Sequence, residues 1–398
     1  MNDKVFWLLA IFAAIYIVGN IGTGSLTTWD EALYANISAN VVRTGDWLVL
    51  HDRPGKPWFD KPPLYMWSTA ILYKLFGVNE FSVRFTSSIF GLATILLVYL
   101  FIKMIYDRQT AILASLILLA SPHYLHFSKI GMMDVMLTFF ITLMIFLFWI
   151  GQERPSYLFW SGIAFALAYL AKGFAAVSGP AIILLYCALS GNLRFLAKRQ
   201  FIAGAVISIV VISSWHLAQY FACGPDAIKS YFGFHIFKRA ATSLEGHTGG
   251  LNFYQKVIFN KNKPWGVVFY GSLAYMIWLI IKDKDKRAIL IVSWAAAVFT
   301  ICTVVRTKLH WYIVPIYPAL AIASAVALDG FFRRKVFYLI LFFVLLAMLI
   351  QAPVSWAFKL DFNAKAKAAA LRLEKINYED NGSIFYYDTV KMRTNSSI

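Results

Sequence analysis

Residues 134–151 read Asp-Val-Met-Leu-Thr-Phe-Phe-Ile-Thr-Leu-Met-Ile-Phe-Leu-Phe-Trp-Ile-Gly. After Asp134 no charge interrupts the run, and a helix of this length, rising about 1.5 Å per residue, nears the thickness of a bilayer core. Ten further apolar runs lie along the chain, at 4–21, 84–106, 109–125, 156–171, 174–190, 201–222, 265–282, 287–305, 310–330 and 336–356. Composition agrees with this reading. Of 398 residues, 60% are hydrophobic and 14% charged, whereas soluble domains carry about a quarter charged residues. Mean hydropathy is +0.64. Aromatic residues at 17% exclude a disordered chain. The expected fold is an all-α polytopic membrane bundle of about 11 transmembrane helices over 1–356, with a short polar tail at 357–398.

The net charge of +17 raises the question of nucleic acid, but the bases are scattered among apolar runs. Anionic lipid head groups and phosphate-bearing substrates suit them better. Cys187, Cys223 and Cys302 show no CxxC spacing, so neither a disulfide frame nor a metal site follows. The run at 4–21 has no small-residue cleavage site after it and reads as a first span. With the N-terminus in the cytoplasm, short inner loops hold Lys103/Arg108, Arg154, Arg194/Lys198/Arg199, Lys282 to Arg287 and Arg333 to Lys335. The positive-inside rule therefore predicts an inner N-terminus and an outer tail.

Two outer loops are long, 22–83 and 223–264. In the first, Leu33, Ile37 and Val41 recur at helical spacing after Thr28 and Asp30 as possible caps, and Gly45 supplies a stop. A short amphipathic helix of this kind is expected to lie in the membrane interface, with that stripe facing lipid. A second helix follows Pro62-Pro63 and runs from Leu64 to Phe76, with Pro63 suited to its first position.

The chain has only 20 acidic residues, which makes their placement informative. Asp30 and Glu31 open the first loop helix, Asp60 precedes Lys61-Pro62-Pro63, and Asp134 opens a span. Each alone reads as a solvated loop residue or, in a first turn, as a complement to the helix dipole. Together on one face they read as a shared site. Lys61, Lys172, Lys238, Arg239 and Lys308 lie on that same face, where a lipid-linked phosphate would need several donors; snorkelling at the interface is their alternative. His235 and His247 match no compact metal motif, and no nucleophile elbow, Walker loop or dinucleotide fingerprint is present. The first-loop aromatics form an interfacial belt or sugar-stacking faces.

In order, Trp-Asp-Glu-Ala-Leu-Tyr-Ala at 29–35, Phe-Asp-Lys-Pro-Pro at 59–63, the Asp134 span start and Ala-Lys-Gly at 171–173 form a pattern. His235…Arg239…Glu245-Gly246-His247 and Lys308…Trp311-Tyr312…Pro315-Ile316-Tyr317-Pro318 complete it. From about residue 20 to 330, the pattern resembles the GT-C type membrane glycosyltransferases, in particular the aminoarabinose (lipid A) transferase and protein O-mannosyltransferase-like family. The resemblance implies a GT-C-like bundle that takes a sugar from a polyprenyl-phosphate carrier and passes it, with inversion, to a lipid A, glycolipid or protein acceptor on the outer face.

It also implies residue roles. Asp30 matches the catalytic acid of the first outer loop, with Asp134 beside it. Lys61, Lys238 and Arg239 match carrier-phosphate ligands, joined by Lys172, Lys308 and Tyr312. Asp60 stands where the aminoarabinose enzymes carry Glu and, with His235, implies a divalent-metal role. The short tail departs from those enzymes. Apart from the resemblance, adjacent helical positions point about 100° apart, so Glu31 is not expected to carry the chemistry and Glu31→Gln is expected to retain most activity. A transporter or flippase would instead place ionisable residues at span centres, and a non-catalytic assembly subunit would leave the acid-plus-base pattern unexplained.

Overall fold

The computed structural model describes residues 3–357 apart from Thr28, Pro54, 239–240, 243–247 and 333–336. The expected tail at 357–398 lies, but for its first residue, outside the described residues. The helices are α1 (Lys4–Val18), α2 (Asp30–Thr44), α3 (Leu64–Phe76), α4 (Glu80–Ile105), α5 (Arg108–Leu119), α6 (Pro122–Lys129), α7 (Asp134–Gly151) and α8 (Ser156–Lys172). They continue with α9 (Ser178–Leu189), α10 (Arg199–Cys223), α11 (Pro225–Ile228), α12 (Phe253–Lys261), α13 (Trp265–Asp283), α14 (Lys286–Val304), α15 (Tyr317–Phe332) and α16 (Phe337–Ala357). One two-stranded hairpin, His51–Arg53 against Lys56–Pro57, decorates the first loop.

Each of the eleven apolar runs is helical, yet among the described residues seven stretches are long and apolar enough to cross a bilayer, or eight with the α5–α6 pair, which bends by 66°. The difference has two physical sources. Ser156–Leu189 counts as one stretch of 34 residues, but its halves run in opposite directions along α7. Ser161 reaches Met144 and Lys172 reaches Asp134, so α8 is antiparallel to α7. Gly179 abuts Met144 while Tyr186 reaches Gln152 beyond the end of α7, so α9 is parallel to it. The reversal falls at Gly173, with φ +67. The second source is length, since α1 has only 15 residues.

Small residues let the helices approach. Ala319, Ala321, Ala323 and Ala325 of α15 are fully buried, as are Ala111 and Ala114 of α5. A Cβ on Gly162 would collide with the Gly204 backbone where α8 meets α10, and Ser208 Oγ donates to the Gly162 carbonyl at 2.6 Å.

The bundle has two chemically distinct ends. At one, Asp3 accepts from Tyr99 Oη at 2.7 Å, Lys103 Nζ at 2.6 Å and Arg108 at 2.9 Å. The bonds from Lys103 and Tyr99 hold its carboxyl far below the usual carboxylate range. The starts of α2 and α7, the end of α8 and the 310–316 turn gather at the other end.

The expected lipid-facing stripe of α2 is corrected by this packing. Ile37 and Val41 are buried in the main core with Trp58, Tyr65 and Met66, and Leu33 packs against it. The helix is clasped by α3 and the hairpin, whose His51 and Asp52 carbonyls accept from Asn40 and Asn36. Gly45 ends α2 in the left-handed region as expected, donating to Val41 O at 3.1 Å. In α3, Pro63 sits one position earlier than expected, as the cap before Leu64.

Candidate active site

A cavity of about 140 Å³ opens between the 22–83 loop and the ends of α7, α8 and α14. Asp60, Lys61, Asp134, Lys172 and Tyr312 line it together, with Tyr231 and Cys302. Asp134 is the first residue of α7, where the helix dipole favours an acid. Lys172 is the last of α8, where a cation is favoured. The two buried side chains form an ion pair, Lys172 Nζ to Asp134 Oδ1. Lys172 also lies over the Tyr312 ring, 5.2 Å from its centroid. The second Asp134 oxygen is buried with no protein partner.

Gly173 permits this geometry. Its φ of +67 suits glycine, and a Cβ there would meet the Tyr231 hydroxyl and Pro62. The Ala-Lys-Gly motif thus delivers Lys172 to the cavity while seating Tyr231. Asp60 and Lys61 are half-buried and reach the cavity just before the rigid Pro62-Pro63 pair.

Asp30 is half-buried and opens α2. It is not the cap, as one reading of the sequence had it. Trp29 holds that position, at φ 76 and with no side-chain cap bond. One turn on, Tyr34 is buried against Trp58 and Tyr65. Burial raises its phenol well above the usual range, and the charges of Asp30, Asp134 and Asp60 add to the effect.

Glu31 is the residue whose role sequence reasoning missed. Its side chain is buried and its Oε1 accepts from Arg84 Nε at 2.8 Å and from the Gly131 N–H at 2.9 Å. Oε2 accepts from Thr27 N at 2.6 Å and Thr27 Oγ1 at 2.8 Å. Arg84, 1% exposed, donates onward to the carbonyls of Ile21, Thr23, Gly24 and Ser25 at 2.8 to 3.1 Å. Burial pushes the Glu31 carboxyl up, but Arg84 and the two N–H groups outweigh it, and the net shift is down. This clamp ties the 21–27 strand of loop to α2, and both to the turn before Asp134. The available signal was an arginine near the start of an apolar run, where an ionisable group implies a partner.

The remaining expected ligands fall elsewhere. Lys308 is turned to the end of α14, donating to Cys302 O at 3.1 Å and to Thr303 O, and burial pulls its ammonium down. Lys238 is exposed at the end of the Lys229–Lys238 turn. Arg239 and the His235 side chain lie outside the described residues. Among the described residues no three His, Cys, Asp or Glu side chains converge to hold an ion, and the His235 side chain expected to share one with Asp60 is not among them.

The dolichyl-phosphate-mannose-protein mannosyltransferase family matches residues 60–217. An undecaprenyl phosphate-alpha-4-amino-4-deoxy-L-arabinose arabinosyl transferase of Proteus mirabilis is 30% identical over 80% of this chain and 58% of its own length. The crystal structure of ArnT from Cupriavidus metallidurans bound to undecaprenyl phosphate superposes with a TM-score of 0.74 at 22% identity, over 94% of this chain and 66% of that one. The chain shares the fold of this membrane transferase. An uncharacterized protein of Aquifex aeolicus is 29% identical over 91% of this chain and 71% of its own length. The chain thus spans 58% of the length of the arabinosyl transferase and 66% of the ArnT structure. The GT-C resemblance read from its motifs holds in sequence and in fold.

Proposed function

We propose that the chain moves a sugar from a polyprenyl-phosphate carrier to an acceptor at the membrane surface bearing Asp30, Asp60 and Asp134. The observation that carries this reading is the convergence of two acids, two lysines and Tyr312 on one cavity. Asp30 takes the proton of the acceptor hydroxyl as its oxygen attacks the anomeric carbon. The new carbon–oxygen bond forms opposite the carbon–phosphate-oxygen bond that breaks, which inverts the centre. The departing electron pair stays on the carrier phosphate, whose charge Lys61 and Lys172 receive. Asp134 fixes Lys172 and Tyr312 caps it. If the acceptor is itself a phosphate, Asp30 positions rather than deprotonates.

Lys238 and Arg239, from the second outer loop, complete the phosphate site when carrier is bound, while Lys308 serves as an anchor for α14. The site faces the extracytoplasmic side of the inner membrane, with the Asp3 end in the cytoplasm. A divalent ion at Asp60 and His235 would need donors beyond the described ones, and no step above uses it; its presence would make transfer sensitive to EDTA and restorable by added divalent ion. The reaction is tested with the protein in nanodiscs and undecaprenyl-phosphate-linked sugars as donor. Release of free undecaprenyl phosphate with a glycosylated lipid A or peptide acceptor is expected. Movement of intact donor across the bilayer without release would make the chain a flippase instead.

A further inference from the structure

Lys61 and Tyr231, which line the cavity described above, also line a second, smaller one. It lies between Trp58-Phe59, which follow the hairpin, and the end of α10 with α11. Trp58, Phe59 and Trp215 form its apolar wall, and His216, Gln219 and Ala227 complete it. Its volume is about 10 Å³, room for one water-sized group. The walls are fixed by packing. Trp58 and Trp215 are buried, each edge-on to another ring: Tyr34 at 6.3 Å and Trp67 at 5.7 Å. His216 is held by Tyr231 and Phe232, whose ring centroids lie 4.7 and 4.9 Å away.

The polar atoms of this cavity suit a hydroxyl. Gln219, 5% exposed, donates from Nε2 to Leu48 O at 2.6 Å. A carbonyl only accepts, so that bond fixes the amide and leaves Oε1 as an acceptor with no partner among the described residues. His216, three residues earlier on the same face of α10, has Nε2 2.9 Å from Tyr169 Oη, and its Nδ1 has no partner among the described residues. An amide oxygen and an imidazole nitrogen match a group that donates one hydrogen bond and accepts another. Resting on the transfer reaction proposed above, we propose that this cavity receives the exocyclic hydroxymethyl group of the donor sugar, which is therefore a hexose rather than a pentose. With the anomeric phosphate at Lys61, the carbon that bears the hydroxymethyl group is two bonds from the anomeric carbon, across the ring oxygen. Its hydroxyl stands one carbon beyond the ring and reaches farther toward the wall shared by Lys61 and Tyr231 than a ring hydroxyl does. A pentopyranose lacks that group and leaves Gln219 Oε1 unmatched, which disfavours it.

The test uses the full chain in nanodiscs with undecaprenyl-phosphate-linked donors in two series: mannose, 6-deoxymannose and lyxose, and glucose, 6-deoxyglucose and xylose. Pairs of donors compete for the protein; bound lipid is read by native mass spectrometry, and transfer by released undecaprenyl phosphate. In at least one series the hexose should be preferred to both analogues by about tenfold or more. Ala227→Leu fills the cavity and should bring hexose and pentose near parity, whereas the nearly isosteric Ala227→Ser should keep the preference. The donor comparison on the wild type stands whether or not Ala227→Leu folds. If in both series the pentose or the 6-deoxyhexose binds as well as the hexose, the assignment is overturned while transfer stands. A hexose preference unchanged in folded Ala227→Leu overturns it as well, because the selecting group then lies elsewhere. Release from none of the six donors would defeat the transfer reading, and the binding competition would still decide the cavity.

Discussion

Replacing Glu31 by glutamine changes one atom type, and the structure expects it to cost far more stability than the loss of an exposed ion pair. Both carboxylate oxygens are occupied, by Arg84 Nε and Gly131 N–H on one side and by Thr27 N–H and Oγ1 on the other. A glutamine amide nitrogen must face one of these donors. The Arg84 guanidinium, 1% exposed, then keeps its four backbone carbonyls but loses its ion pair with the Glu31 carboxylate. Breaking one partner of a buried pair costs about 3–5 kcal/mol, because the surviving charge stays desolvated. By comparison, an exposed pair such as Lys56–Asp52 is worth well under about 1 kcal/mol. Thermal unfolding of the purified protein in detergent, followed by tryptophan fluorescence, reads the loss. Arg84→Met should destabilise similarly, and the Glu31→Gln/Arg84→Met double variant should lose less than the sum. The same group sets a pH dependence. Its folded carboxyl lies below its unfolded value, so its stabilisation is full above about pH 4.3 and declines as pH falls toward the folded value. The Glu31→Gln variant should lack that decline. If Glu31→Gln melts with the wild type, the clamp is not holding the loop and this reasoning fails.

Three further expectations follow from the cavity and the packing. Lys61→Met should weaken binding of the carrier lipid phosphate about tenfold or more while the protein folds normally, measured by titration of undecaprenyl phosphate; unchanged affinity removes Lys61 from the phosphate site, and Lys61→Arg is no control because a planar fork binds differently. Gly173→Ala forces a positive φ on a residue with a Cβ and displaces Tyr231 or Pro62, so it should lower the melting temperature by the equivalent of about 1–3 kcal/mol; a wild-type melt would show that the turn relaxes freely. A cysteine at the exposed Asn252 should react with an impermeant reagent from outside intact cells, and protection there would invert the assigned orientation.

The sequence made the bundle legible because lipid imposes one strong rule, long apolar runs with charges at their ends. All eleven runs became helices, and Gly45 and Phe76 ended α2 and α3 where their patterns stopped. Asp60, Lys61, Asp134, Lys172 and Tyr312 were legible as one site through motif order and a shared face, which the fold converts into one cavity. Pair partners were not legible. Glu31 and Arg84 lie 53 residues apart, and no local pattern couples them. Lys308 has the same neighbours in sequence whether it meets a phosphate or caps the carbonyls of Cys302 and Thr303, and only the end of α14 decides between these. The α2 stripe was readable as a stripe, but periodicity cannot distinguish a face turned to lipid from one covered by α3 and a hairpin.

The central claim is that Asp30 carries the chemistry while its neighbour Glu31 carries the loop. Asn replaces Asp30 with the same shape and no basic carboxylate, and Trp29 rather than Asp30 occupies the cap, so folding has little stake in the change. The decisive measurement is single-turnover sugar transfer by Asp30→Asn to a hydroxyl acceptor, from bound undecaprenyl-phosphate-linked donor, in protein shown by its melting curve to be folded. The account predicts normal donor binding with the transfer rate reduced by a factor of about 100 or more, the contribution of a positioned general base. Transfer at close to the wild-type rate would contradict it.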